Sequence, residues 1–355
     1  MQKREYIENQ VTVVIPVYNE ERFLRQCLES VVDQVDYVVL GDNASTDGTE
    51  AICTEFVEKY SDKIVYFRND ENLGAVKNSV LCYEKVQTEF VFHIGGHDLI
   101  PPNYVTTLKM ALKNQPDEKT VGVFSPVRMI DNKDSLIRID DFKMFRKKCQ
   151  NNNPLIRASH FVFSRNPCNI VFGLFRSDIF LRVLDTRSFP IAGCDHLLLF
   201  YLLLQGKMIY CDDTFFLRRD VHNDHSLVKK QKDKGEYMAR IAGNSYVSVD
   251  GKDISQLYRP MFCHILRDCA TFQHPLISEY KRWKIVVELE YTLRKQLQIS
   301  KIEEDSEIDR HCFYYRLARF FKKCSLLRKF IFNIGHEKNK IRIKICGPSF
   351  SIPLK

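Results

Sequence analysis

The sequence lacks the features that mark secreted and membrane-spanning chains. Its 12 cysteines include no CxxC pair, and no secretory leader precedes the first apolar run. We therefore expect reduced thiols in a cytoplasmic setting, rather than disulfides or a zinc site. No apolar run reaches the ~18–20 residues that cross a bilayer, so we expect no spanning segment. Peripheral binding at the inner face of the plasma membrane remains open.

The excess of positive charge is concentrated near one end of the chain. The net charge is +8, from 53 Lys and Arg against 45 Asp and Glu, and residues 311–345 alone hold ten basic residues and one acid. At 311–335 the apolar residues fall on one side of a helical wheel with Arg and Lys between them, a pattern that predicts an amphipathic helix. Such a helix lies either on an anionic membrane surface or on the protein itself. No nucleic-acid reader motif accompanies the charge, so we expect no nucleic-acid partner.

The clearest pattern lies near the amino terminus. Apolar, β-branched runs at 11–17 and 37–40 flank a helical pattern at 23–32. Strand, helix and strand in this order predict a right-handed βαβ unit and a parallel sheet. Ligands of such sheets bind beyond the carboxyl ends of the strands. Polar residues follow both strands there, namely Asn19, Asp42, Asn43, Ser45 and Asp47.

The remaining pattern completes one α/β domain and a helical extension. The sequence predicts strands at 63–67 and 89–94, a strand and a turn at 121–131, and helices at 49–60 and 103–113. It also predicts a long polar loop at 132–167, an apolar helix within 192–210 that ends at Gly206-Lys207, and an edge strand with a polar loop at 208–226. We expect a catalytic domain at 1–226, with halves at 1–100 and 101–226. A helical extension would follow at 227–310 and a basic amphipathic tail at 311–355.

Two segments resemble the opening of family 2 glycosyltransferases, which are inverting enzymes of the GT-A fold. They are VVIPVYNEERFLRQCLESVV and VVLGDNASTDGT, and the resemblance extends to about residue 226. It implies a Rossmann-like, mostly parallel central sheet with flanking helices. The chain departs from the family's Asp-Asp pair at Asn43, which replaces the second Asp.

The resemblance also implies a binding site for a nucleotide-sugar donor. Asp42 would hydrogen-bond the base, Asn19 would help to wall the nucleoside, and Arg218 or Arg219 would pair with phosphate oxygens. The segment 72–78 would wall the same pocket, and the alternative is a turn whose glycine opens a helix. The full donor set is Pro16, Tyr18, Asn19, Glu20, Asp42, Asn43, Ser45, Asp47, Asn72, Gly74, Lys77, Gly96, His97, Arg218 and Arg219.

Metal binding is the point at which the chain departs most from the family. The strand at 89–94 should end in an Asp-x-Asp or Asp-Asp motif that holds a divalent cation, but Gly95-Gly96-His97-Asp98 stands there. The resemblance then leaves Asp98, His97 and His222 as ligands for Mn²⁺ or Mg²⁺, of which Mn²⁺ suits an imidazole better. Alternatively, Lys or Arg carries the phosphate charge without a metal.

The acceptor side of the site is implied by two later segments. Asp195 precedes a long apolar helix and matches the family's catalytic base, although an acid there also serves as a helix N-cap. His196 is the second candidate for the base, since imidazole titrates near neutrality. Phe175, Arg176 and His196 are the candidates for acceptor contact.

The resemblance predicts a hexosyltransferase-type enzyme that moves a sugar, with inversion, from a UDP-sugar to a hydroxyl of a glycan or lipid-linked acceptor. The product would belong to a surface polysaccharide or glycolipid. Two alternatives are a catalytically weak relative that only binds a nucleotide or glycan, and a membrane-docked scaffold.

Overall fold

The computed structural model describes residues 5–114, 120–163, 168–187 and 194–221, scattered positions between 265 and 289, and strands between 331 and 353. The chain divides into two compact units, Met1–Tyr258 and Arg259–Lys355. The boundaries predicted at 226 and 310 remain predictions.

Ten strands of the first unit form two sheets. In chain order they are β1 (Ile7–Val17), β2 (Tyr37–Asp42), β3 (Ile64–Arg68), β4 (Thr88–His93), β5 (Thr120–Phe124), β6 (Val127–Ile130), β7 (Leu136–Asp140), β8 (Leu174–Arg176), β9 (Lys207–Tyr210) and β10 (Phe216–Arg219). The central sheet has seven strands in the order β3-β2-β1-β4-β8-β5-β9, and the small sheet has the order β10-β6-β7.

Within the described residues up to 221, seven α-helices accompany these strands. They are α1 (Leu24–Val31), α2 (Thr49–Lys59), α3 (Ala75–Tyr83), α4 (Tyr104–Lys113), α5 (Pro154–Phe163), α6 (Ser177–Arg187) and α7 (Cys194–Gln205), with 3-10 turns at Val32–Gln34 and Cys168–Phe172. The prediction of an α/β fold with a mostly parallel sheet is confirmed.

The central strand β1 sets the geometry of the candidate site. Its residues 11–15 are all buried, as expected for a strand covered on both faces. It pairs in parallel with β2, where Val17 lies opposite Asp42, and with β4, where Val14 lies opposite His93. The carboxyl ends of these three strands therefore meet at one edge of the sheet.

Strand β8 runs against this direction. It is antiparallel to both β4 and β5, so that Leu174 lies opposite Phe92 and Arg176 lies opposite Phe90. The start of β8, and with it the 3-10 turn Cys168–Phe172, therefore lies at the edge where β4 ends. The close approach requires glycine at position 173, because a Cβ there would lie 2.3 Å from the Val123 carbonyl oxygen.

The small sheet brings β10 to the same edge. Leu217 exchanges backbone hydrogen bonds with Leu99, at 2.9 and 3.0 Å, just after the end of β4. The sequence predicted a polar loop after β9, yet residues 216–219 pair in parallel with β6. This pairing carries Arg218 and Arg219 to the loop that contains His97 and Asp98.

Two predictions of local structure are wrong. The segment 132–167 was predicted as one long loop, but it contains β7 and α5. The helix predicted over 311–335 does not extend to its last residues, because 331–335 belong to a strand. Residues 311–330 lie outside the described part of the chain.

The described part of the second unit contains one antiparallel sheet. Its strands are β11 (Ile331–Glu337), β12 (Lys340–Ile345) and β13 (Ser349–Pro353), in that order. The described positions at 265–266, 268–269, 285–286 and 288–289 are helical and lie in the segment predicted as a helical extension, 227–310. Among all the described residues, no helix combines the length and apolar character that a membrane span requires.

Candidate active site

The loop after β2 is stabilised by its own carboxylates. Asp42 is 0% exposed, and its Oδ1 accepts hydrogen bonds from the Ser45 amide and hydroxyl at 2.9 and 2.5 Å. Its Oδ2 lies 3.3 Å from Nε of Arg68. Asp47 accepts bonds from the Thr49 amide and hydroxyl at the start of α2, at 3.0 and 2.5 Å. The predicted contact of Asp42 with a base remains a prediction, and it requires one of these internal partners to be exchanged.

The loop after β1 is tied to the loop after β2. The Asn19 amide donates to Ser45 Oγ at 3.0 Å, and Asn19 Oδ1 accepts from the Thr46 amide at 2.8 Å. Asn19 and Ala44 both have positive φ, 55° and 61°, in the left-handed region that L-residues seldom occupy. Backbone strain of this kind accumulates at ligand-binding loops. Tyr18 is 44% exposed beside them, after the half-buried Pro16.

The asparagine that departs from the family pattern is the centre of an amide network. Asn43 Nδ2 donates to Asn72 Oδ1 at 2.8 Å, while its Oδ1 accepts from Asn69 Nδ2 at 3.0 Å and from the Leu73 amide at 2.9 Å. Asn72 Oδ1 also accepts the Gly74 amide at 2.9 Å. An aspartate could not donate to Asn72, so the amide fits this network. Gly74 has φ 82° and precedes α3, on which Lys77 is exposed.

His97 lies between two carboxylates at the end of β4. Its Nδ1 is 2.8 Å from Glu20 Oε1, and its Nε2 is 3.9 Å from Asp98 Oδ1. Burial disfavours the charged imidazole, but Asp98 and Glu20 outweigh that effect and raise the pKa of His97 to about 9. Glu20 approaches closely because Gly96 has no side chain: a Cβ there would lie 3.0 Å from Glu20 Cγ. At neutral pH an imidazolium therefore lies between the two carboxyl groups.

Asp98 is 1% exposed, and its Oδ1 accepts the Arg219 amide at 2.9 Å. Burial raises the pKa of Asp98, whereas His97, this amide and Arg218 act to lower it. Of the predicted metal ligands, Asp98 and His97 thus lie together, and His222 lies outside the described residues. Among the described residues, no third ligand atom completes a metal-binding group around them.

The prediction that Arg219 binds phosphate is not supported by its placement. Arg219 is 3% exposed, and it donates to the carbonyls of His97 and Asp131, at 3.0 and 2.8 Å, and to Gln26 Oε1 at 3.1 Å. Asp134 lies 2.6 Å from its second terminal nitrogen. The guanidinium N–H groups of Arg219 are thus already hydrogen-bonded within the protein. They link the loop around Asp98 to the small sheet.

Arg218 points the other way along β10 and is only partly buried. It donates to Asn169 Oδ1, and its guanidinium carbon lies 5.7 Å from the centre of the Phe172 ring. Burial raises the pKa of Asp98 and of Cys168, and the positive charge of Arg218 lowers both pKa values. Arg218 therefore lies between the end of β4 and the 3-10 turn before β8.

Asp195 lies at the start of α7 in a second polar cluster. Its Oδ1 accepts the His196 amide at 2.9 Å and lies 3.4 Å from His196 Nδ1, and Cys168 donates its thiol hydrogen to the same carboxylate. Burial opposes ionisation, but the bond and charge of His196 and the bond from Cys168 lower the pKa of Asp195 to about 2. The Asp195 side chain is 46% exposed, so an ionised oxygen faces solvent.

Two of the residues predicted to contact the acceptor, Phe175 and Arg176, do not lie beside Asp195 on an exposed surface. Phe175 is 0% exposed and packs against Phe180 with ring centres 5.2 Å apart. Arg176 lies at the opposite edge of the sheet, where it pairs with Glu89 at 3.2 Å and donates to the Thr120 carbonyl at 3.1 Å. The antiparallel direction of β8, which the sequence did not reveal, is the reason. His196, the third acceptor candidate, stays beside Asp195.

The sequence did not single out Cys168 and Asn169. They precede an antiparallel strand, and neither belongs to a motif with recognisable spacing. Their proximity to Asp195 and Arg218 arises only when α7 and β10 pack beside the 3-10 turn. An asparagine followed by an apolar strand carries no signal of that packing.

Part of the chain is similar to a known protein family. Residues 12–173 match the family model described as Glycosyl transferase family 2. Glycosyltransferase GlyA of Streptococcus pneumoniae serotype 4 is 34% identical over 121 residues, which are 33% of this chain and 17% of that protein. Abequosyltransferase RfbV of Salmonella typhimurium is 29% identical over 112 residues, 30% of this chain and 34% of that protein. The match thus spans a minor part of either relative.

Solved structures support the fold. Mannosyltransferase PcManGT from Pyrobaculum calidifontis, solved with GDP-Man and Mn²⁺, gives a TM-score of 0.50 at 14% identity, over 90% of this chain and 82% of that one. At this identity the likeness concerns the fold alone. Residues 12–173 are therefore similar to glycosyl transferase family 2, and the sheet that carries them has the GT-A fold.

Proposed function

We propose that the chain transfers a sugar from a nucleotide-diphosphate sugar to a hydroxyl of a glycan or lipid-linked acceptor, with inversion at the anomeric carbon. The preferred candidate for the donor is a UDP-sugar. One observation carries the proposal. The charge of Arg218 acts on Asp98 at the end of β4 and on Cys168, whose thiol hydrogen-bonds to Asp195 at the start of α7. A partly exposed cation between two acidic groups suits a diphosphate on one side and an attacking hydroxyl on the other.

The donor would lie along the ends of β2, β1 and β4. The strained loops that contain Asn19 and Ala44 would wall the nucleoside, with Tyr18 exposed beside them. The diphosphate would then reach His97 and Arg218. Guanidinium groups pair bidentately with phosphate oxygens, and preorganised positive charge stabilises the negative charge that grows on the leaving diphosphate.

A divalent cation fits this site in part. Asp98, with His97 once its imidazole has lost a proton, would hold Mn²⁺ or Mg²⁺, and the bound ion would add positive charge against the leaving group. With a pKa of about 9, however, His97 is itself a cation at neutral pH. We therefore infer that His97 and Arg218 supply part of the positive charge against the diphosphate. In the pattern of the family, a metal ion held by the second carboxylate would supply that charge.

Asp195 would act as the base on the acceptor hydroxyl. Its low pKa keeps it ionised throughout the neutral range, and the helix start fixes its orientation. Hydrogen bonds from His196 and Cys168 hold the carboxylate in place, while its exposure leaves it accessible to an incoming hydroxyl. A positioned base of this kind contributes roughly 10²–10⁴-fold to the rate. His196 remains the second candidate.

A second candidate function is a nucleotide-binding relative with little turnover. The imidazolium of His97, in place of the second carboxylate, is the observation that favours it. The names of the two relatives, a glycosyltransferase and an abequosyltransferase, support sugar transfer and leave the sugar open. Membrane contact through residues 311–345 also remains a proposal.

Hydrolysis and transfer from a panel of UDP-sugars, with and without Mn²⁺, test the proposal. We expect Asp195→Asn to lower the rate by roughly 10²–10⁴-fold. Asp178→Asn is the matched control, since Asp178 occupies the same position at the start of α6 and is exposed. An unchanged rate in Asp195→Asn would refute its role as base. Donor binding without turnover in the wild type would favour the second candidate.

A further inference from the structure

A cluster of three different metal-binding groups lies beside Arg218. It consists of Cys168 in the 3-10 turn before β8 and of Asp195 and His196 in the first turn of α7. The ligand atoms of the three side chains all lie within 4.8 Å of one another, and each residue is partly exposed. Asp195 Oδ1 and His196 Nδ1 are 3.4 Å apart, and the Cys168 thiol already bonds the same carboxylate.

This geometry is close to that of a tetrahedral metal site. Zinc lies ~2.0–2.3 Å from carboxylate, imidazole and thiolate ligands, so neighbouring ligand atoms of a tetrahedron are roughly 3.3–3.6 Å apart. The oxygen–nitrogen pair already has this spacing. A small approach of the Cys168 sulfur would complete three corners, and the exposure of the cluster leaves the fourth corner to water.

We propose that Cys168, Asp195 and His196 form a binding site for a thiophilic divalent cation, with Zn²⁺ as the best match. It is separate from the donor cation near Asp98. The ligand set selects the metal, because a soft thiolate favours zinc over the hard cations Mg²⁺ and Mn²⁺. On binding, the thiol proton of Cys168 passes to solvent, and the two resulting negative ligands balance the charge of the ion.

Sequence spacing does not reveal such a site, since Cys168 and Asp195 are far apart in the chain and no CxxC motif is present. The packing of α7 against the 3-10 turn creates it. If Asp195 is the base, an assignment that rests on the proposed function, the bound ion would also occupy the base and inhibit transfer. Zinc would then act as a switch on the acceptor side of the site.

Binding is tested on the full chain after removal of metals with a chelator. Titration with ZnCl₂ in the calorimeter, in the presence of excess Mg²⁺, should give one site. Substitution with Co²⁺ should give the visible bands of a tetrahedral ion and a thiolate-to-cobalt charge-transfer band. The variants Cys168→Ser and His196→Gln should each weaken zinc binding by at least ~10-fold, and Cys168→Ser should abolish the charge-transfer band.

Cys194→Ser is the matched control, because Cys194 is also partly exposed at the start of α7 but lies outside the cluster. It should bind zinc as the wild type does. Circular dichroism establishes that each variant is folded. Equal affinity in the wild type and Cys168→Ser would overturn the proposal, and so would loss of binding in Cys194→Ser alone.

The activity assay separates this site from the proposed base. Zinc that binds through Cys168 and inhibits the wild type but not folded Cys168→Ser supports both assignments. Zinc that binds through Cys168 without inhibition supports the site and contradicts Asp195 as base. Absence of zinc binding overturns the site and leaves the test of Asp195→Asn unaffected.

Discussion

Replacement of Arg219 by methionine would remove the hydrogen bonds that link the loop around Asp98 to the small sheet. Arg219 is 3% exposed, and its side chain donates to the carbonyls of His97 and Asp131 and to Gln26. Methionine fills much of the same volume but donates nothing. The substitution therefore leaves two partly buried carbonyl oxygens, those of His97 and Asp131, without this donor. An acceptor that loses its partner away from water is the costly case for a hydrogen bond.

The magnitude follows from these acceptors. Each acceptor left unsatisfied costs ~1–3 kcal/mol, and two carbonyl oxygens lose this donor. The contact with Asp134 adds little, because that side chain is 51% exposed. We expect Arg219→Met to lower the free energy of unfolding by roughly 3–5 kcal/mol, and Arg219→Lys by about half as much.

Urea unfolding followed by far-ultraviolet circular dichroism measures this change. The single tryptophan, Trp283, lies in the second unit, so its fluorescence would report on the wrong part of the chain. Arg138→Met serves as the control, since Arg138 is 57% exposed and pairs only with Asp140 among the described contacts. It should change the stability by less than about 1 kcal/mol. Equal midpoints for Arg219→Met and Arg138→Met would refute the structural role of Arg219.

Three further predictions concern the fold around the site. Burial lowers the pKa of His93 from 6.5 to about 4, so stability should fall by up to roughly 3 kcal/mol as the pH drops through this window. His93→Phe, which keeps a ring between Tyr83 and Phe172, should remove that dependence from urea midpoints, and an unchanged pH profile would contradict it. Gly173→Ala should lower stability by about 1–3 kcal/mol in thermal unfolding, because its Cβ would meet the Val123 carbonyl; a neutral effect would contradict the close approach. Ala44→Gly should relieve positive φ and raise stability by up to about 1 kcal/mol, whereas a loss would mean that the residue is unstrained.

The sequence predicted the part of the fold that depends on local periodicity. The runs at 11–17 and 37–40 form parallel neighbours, and the polar residues after them meet at one edge as the βαβ rule requires. These positions follow from the direction of the strands alone, because parallel neighbouring strands have their carboxyl ends at the same edge of the sheet.

The direction of β8 could not be predicted in this way. Three residues are too short for a periodic signal, and only the pairing of Leu174 with Phe92 and Val123 shows that the strand is reversed. That reversal places Arg176 at the far edge of the sheet and Cys168 at the near edge.

The sequence also could not predict which of the two arginines of β10 is buried. Alternation along a strand sends adjacent side chains to opposite faces, and only the pairing with β6 decides which face is buried.

Binding of UDP to the wild type, measured by calorimetry with and without Mn²⁺, tests the central claim most directly when it is repeated with Arg218→Gln. If the diphosphate lies between the end of β4 and the start of α7, this variant should weaken binding by at least ~10-fold, in line with the loss of a charge-assisted bond. Arg138→Gln, at an exposed position on β7, should bind as the wild type does. Equal affinity in the wild type and Arg218→Gln would contradict the proposed site.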